Sequence, residues 1–133
     1  MIDHLSIGTH QIDKSVEFYT NCLATLGYGL QHRDHTQAIF GIDGKWIFCL
    51  YPAEPGTSLL GHRSHVAFSA PSKTATAAFH QAALALGAST LREPGPRADI
   101  NPEYYGTIVK DLDGHTIEVV HWDSAAGGNA SDQ

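Results

Sequence analysis

A strand, a helix, a stopping glycine and a hairpin occur twice in the same order along this chain, and few folds accommodate such a pattern. Residues 2–8 (IDHLSIG) alternate apolar and polar positions like a half-buried strand. The spacing of Ile12, Val16, Tyr19, Leu23 and Leu26 then predicts a helix over 13–26, which Gly27 ends. Strand-like runs follow at 28–33, 38–42 and 46–51, and Asp43-Gly44 joins the last two as a hairpin turn. Residues 52–61 contain Pro and Gly and read as a linker. The series then restarts. Residues 64–70 (SHVAFSA) are strand-like, and an alanine-rich helix is predicted over 72–86 with Ser72 as its N-cap and Gly87 as its stop. Strand-like runs follow at 89–93, 105–110 and 116–122, the last pair joined by Asp113-Gly114.

His4 matches His65 and Phe18 matches Phe79 at one common offset, whereas the two Asp-Gly turns lie further apart. The second copy therefore carries extra residues, placed in the loop 94–103 (PGPRADINPE). The fold class this implies is α+β, with two tandem βαβββ modules: module one at 1–51, the linker at 52–61 and module two at 62–122. Each module alone has an open sheet with one face uncovered by its helix. Pairing two of them curves the sheets around a shared cleft. The remainder, 123–133, is small and polar and is expected to be a mobile tail.

Fourteen acids against eight lysines and arginines give a net charge of −6, which argues against nucleic acid or an anionic membrane surface as a partner. No run approaches the roughly 20 apolar residues a span requires, and no basic segment with an apolar run marks a leader at the N-terminus. Cys22 and Cys49 sit in apolar contexts and read as free, packed thiols in a reducing, cytoplasmic setting. Nine histidines outnumber the lysines and arginines together, and histidine is the commonest metal ligand.

With IDHLSI at the start, SVEFYTNCLATLGY in the first helix, SHVAFSA in the second module and KDLDGHTIEVVHW at the end, the chain resembles the vicinal oxygen chelate superfamily. That superfamily groups glyoxalase I, bleomycin resistance proteins and extradiol dioxygenases. The resemblance implies paired βαβββ modules and a divalent metal ion (Fe, Mn, Ni, Co or Zn) held in their cleft. Its ligand positions fall on His4, Phe48, His65 and Glu118, Phe48 being placed by aligning DGKWIF with DGHTIE. Alternation agrees: His4 and Ser6 share one face, His65, Ala67 and Ser69 another, and Thr116, Glu118 and Val120 a third. Two imidazoles and a carboxylate with open positions suit a non-haem Fe(II) or a similar ion.

Phe48 in place of the fourth ligand disfavours glyoxalase I activity. The pattern of three retained ligands resembles that of extradiol dioxygenases, but Ile108 stands where their tyrosine is expected, and His35 is the nearest candidate for their catalytic histidine. Arg97, in the extra loop, is a candidate clamp for a substrate carboxylate or phosphate. Of the adjacent Tyr104 and Tyr105 alternation lets one face the cleft, and Tyr105 is the expected proton-transfer residue. Trp46 and Phe48 are expected to offer stacking surface to a ligand. His115 and the remaining histidines read as mostly surface residues. Three functions stay open: a lyase, isomerase or dioxygenase acting on a small oxygen-rich molecule, a metal-free drug-binding resistance protein, and a vestigial site. Superfamily members of this length are commonly homodimers.

Overall fold

A computed structural model describes residues 1–124, and the expected tail lies outside them except for Asp123 and Ser124. The element order is β1 (Leu5–Thr9), α1 (Ile12–Ala24), β2 (Gly29–Arg33), β3 (Ala38–Ile42), β4 (Lys45–Pro52), β5 (His65–Ser69), α2 (Lys73–Ala85), β6 (Ser89–Pro96), β7 (Tyr104–Lys110) and β8 (Thr116–Trp122). The repeat is therefore a structural one. The strands form two four-stranded sheets, β1-β4-β3-β2 and β5-β8-β7-β6, rather than one continuous sheet. In each, the first strand runs parallel to the last and the other pairs are antiparallel.

Local chemistry accounts for the element ends. The Ser72 hydroxyl accepts the Ala75 N–H at 3.0 Å, capping α2 as its sequence predicts. Gly27 and Gly87 adopt φ of +91° and +105°, the left-handed turn that closes a helix and that side chains with a Cβ disfavour. Asp43 and Gly44 are both at positive φ, the geometry of a two-residue hairpin turn. Two boundaries move. β1 starts at Leu5 rather than residue 2, because pairing with β4 begins at Leu5↔Phe48. β6 runs on to Pro96, so part of the extra loop of module two is strand paired to β7.

The helix-covered faces of both sheets merge into one core containing Phe18, Tyr19, Phe40 and Phe48 from module one with Phe68, Phe79, Ile117 and Val119 from module two. Phe48 and Phe68 meet edge-to-face at 5.2 Å between ring centres, across the module boundary. A polar junction lies beside this contact. Gln11, the N-cap of α1, makes no side-chain capping bond. Asp113 of the β7–β8 turn takes that place: its carboxylate accepts from Thr9 Oγ1 at 2.5 Å and from the His10 N–H at 3.0 Å. Asp111 in the same turn accepts from Tyr19 at 2.5 Å, and His115 Nε2 donates to the Gly8 carbonyl at 2.8 Å. His115 is thus a buried link between modules, not the exposed turn residue its position after a glycine implies.

Candidate functional site

Strand register decides which side chains share the uncovered face of each sheet, because residues directly opposite one another point the same way. In module two, Ala67 pairs with Glu118, which pairs with Ile108, which pairs with Arg92. The next row joins His65, Thr116 and Lys110. Glu118 lies at the centre of these rows. Its Oε1 is 3.2 Å from His65 Nε2, and its Oε2 accepts the Tyr104 hydroxyl at 2.6 Å.

Tyr104, not Tyr105, is the tyrosine on this face. It pairs with Trp122, two residues along β8 from the Val120 that pairs with Gly106, so all three share the face of Glu118. Gly106 makes the reach possible: a Cβ there would fall 2.5 Å from the Tyr104 hydroxyl oxygen. Burial first, then the hydrogen bond and charge of Glu118, push the Tyr104 pKa up to about 12. Tyr104 thus holds its proton at neutral pH and donates it to the carboxylate. Tyr105 points to the opposite face, where its ring lies 5.5 Å beneath the Lys73 ammonium. The glycine after the tyrosine pair was the signal in the sequence for choosing between them.

Phe48 is likewise displaced from the role expected of it. It is 1% exposed and packs on Tyr19 at 4.9 Å between ring centres, inside the core. The two hairpins differ in length. β3 and β4 turn tightly with a bulge at Phe40/Gly41, while β7 and β8 are joined by a longer turn. Matching the Asp-Gly letters therefore misaligns the strands. By register, Ser6↔Cys49 corresponds to Ala67↔Glu118, so Cys49 holds the place of the missing ligand.

The other expected residues scatter. His4 precedes β1, is exposed and bonds its neighbour Asp3 at 2.6 Å. Arg97 forks onto Asp99, with Nε and Nη2 donating to the two carboxylate oxygens at 2.7 and 2.5 Å. His35 is exposed in the turn between β2 and β3, makes no hydrogen bond or ion pair among the described residues, and is not part of the Glu118 group. Trp46 lies on the uncovered face of module one, 5.8 Å from His32 in a near-parallel stack. Cys22 and Cys49 are buried free thiols, and burial raises Cys22 to about 12.

A cleft of about 910 Å³ runs between β1 and β5, touching Ser6, Gly8, Leu59, Leu60, His65 and Thr116. A divalent ion fits two of the three expected donors, His65 and Glu118, which already converge on one face. The third does not join them: no three His, Cys, Asp or Glu side chains group as ligands among the described residues.

A model of the glyoxalase/bleomycin resistance protein/dioxygenase family matches residues 1–119. The chain belongs to that superfamily. Solved structures agree on the fold. A glyoxalase/bleomycin resistance protein from Albidiferax ferrireducens superposes with a TM-score of 0.81 at 28% identity, over 91% of this chain and 98% of that one. A superfamily enzyme from Burkholderia phytofirmans gives 0.69 at 16% identity, over 90% and 97%. The fosfomycin resistance protein FosX from Listeria monocytogenes gives 0.65 at 19%, over 91% and 92%. No curated protein sequence matches the chain. Among the described residues no helix is long and apolar enough to cross a membrane.

Proposed function

We propose that the chain is a metal-dependent enzyme acting on a small oxygen-rich molecule, as a lyase, isomerase or extradiol-type dioxygenase, with its site on the uncovered face of module two. The observation that carries this reading is the convergence of His65 and Tyr104 on the two oxygens of Glu118. His65 and Glu118 are the metal-holding pair, and His4 from a second copy of the chain supplies the third donor in a homodimer. Two features support a second copy: β1 and β5 are both unpaired on their outer edges, and Leu5 and Tyr51 are apolar yet exposed beside them. The ion, when bound, supplies Lewis acidity toward substrate oxygens. Tyr104 keeps Glu118 oriented by donating to Oε2, and its proton is available at that oxygen to a substrate that displaces the bond.

Metal content tests the reading. Protein prepared without chelator and incubated with Fe(II), Mn(II), Ni(II), Co(II) or Zn(II) is expected to retain about one ion per chain, and His65→Ala and Glu118→Gln to retain none. A wild-type chain that binds none of these ions refutes it. A second reading, metal-free sequestration of a planar compound, is favoured by the exposed Trp46–His32 stack on the facing module. In that case an aromatic cation binds the metal-free protein and Trp46→Ala abolishes binding, while His65→Ala has no effect.

A further inference from the structure

Arg92 is a polar residue of this face whose side chain makes no hydrogen bond or ion pair among the described residues. The bulge at Thr90/Arg92 sets it opposite Ile108, in line with Glu118. Strands lie 4.7–4.9 Å apart, so Arg92 and Glu118 are separated by about 10 Å of sheet with Ile108 between them. Arg92 is half-buried, yet it enters no ion pair among the described residues. Asp99, an acid that feels its charge, is held in a two-pronged bond by Arg97. The charge balance sharpens the point. A chain with 14 acids and 8 lysines and arginines places Arg92, Arg97 and Lys110 on or beside one sheet face. A guanidinium on this face that no carboxylate pairs has its planar donors available to an anionic ligand.

We propose that Arg92 anchors the substrate of this site, and that the substrate carries an oxyanion group, a carboxylate or a phosphoryl-type group, separated from its reacting oxygens by a short apolar stretch lying on Ile108. The inference deepens the enzyme reading, since it takes the reacting end to lie at His65 and Glu118. It names the substrate class as a small anion. Arg97 is already engaged by Asp99 along its Nε–Nη2 edge, and Lys110 lies at the other end of the face, beside Thr116.

The test is an NMR titration of the metal-free full chain with inorganic phosphate, acetate and, as the uncharged control, acetamide. Phosphate or acetate is expected to shift the Arg92 Nε–H and the Ile108 methyls, and acetamide to shift neither. A response to one anion alone identifies which group the face selects. Arg92→Gln is expected to weaken that binding at least about tenfold, and Arg92→Lys to recover part of it. Unchanged affinity in Arg92→Gln, an equal response to acetamide, or no response to either anion overturns the proposal. Metal content separates this from the enzyme reading. A chain that binds no metal yet shows Arg92-dependent anion binding refutes only the latter, and one that binds metal with Arg92→Gln unaltered toward anions refutes only the former.

Discussion

Removing the Phe48 ring would leave a hole bounded by Tyr19, Phe40 and Phe68 in a core shared by both modules. Phe48→Ala is therefore expected to lower the unfolding free energy by about 3–5 kcal/mol in urea denaturation. A loss below about 1 kcal/mol would mean that the ring lies on the open face after all. Tyr104 makes a different kind of prediction. Its pKa is pushed up to about 12, and burial with Asp111 raises Tyr19 as well, so Tyr104→Phe should lose part of the late amplitude of a phenolate absorbance titration, not all of it. Both residues were visible in the sequence, but their directions were not. One bulge in the first hairpin moves Phe48 to the other face from Glu118, and the absent side chain of Gly106 gives Tyr104 its path. Neither event has a counterpart in the alternation pattern of a single strand.

At the scale of elements, helix α1 depends on a turn from the other module. Burial disfavours the ionised Asp113 carboxylate, but bonds from Thr9, His10, Gln11 and Ser15 together outweigh it and hold the pKa below the ordinary range. A depressed carboxyl pKa adds stability above the unfolded value of about 4 and loses it as pH falls through the folded value. Asp111 has the opposite sign. Burial raises its pKa above the ordinary range despite the Tyr19 bond, so its contribution improves as pH falls from that raised value toward the unfolded one. Asp113→Ala is expected to cost about 1–2 kcal/mol at neutral pH and to flatten the acid limb of stability below pH ~4. Melting temperatures across pH 2–7, a range of about five units around the carboxyl pKa, measure both effects. An unchanged acid limb would show that Asp113 is not the clamp. The DLDGH run reads as a hairpin turn in sequence. Its second role, joining the modules, needs Thr9 and Gly8 brought against it from about a hundred residues away.

At the scale of the whole molecule, the described residues present two uncovered sheet faces and four edge strands, β1 and β2 in one sheet and β5 and β6 in the other, as surfaces for the proposed homodimer. If His4 of one copy completes the site of another, His4→Ala and His65→Ala chains should each bind no metal alone. Mixed and reassembled, they should regain about a quarter of the wild-type sites, since half the dimers are hybrid and each hybrid has one intact site. No recovery on mixing overturns the shared-site reading. The repeat, the α+β class and the two helix stops were legible along the chain, because each depends on periodicity or on residues with singular backbone behaviour, whereas His65 and Glu118 were singled out by the family resemblance. Which tyrosine faces the site, where Phe48 points, what Arg97 is bound to and whether His4 reaches the other donors were settled by packing. Register, bulges and the docking of one module on another are sums of many weak contacts between distant residues, and no local stretch of sequence carries them.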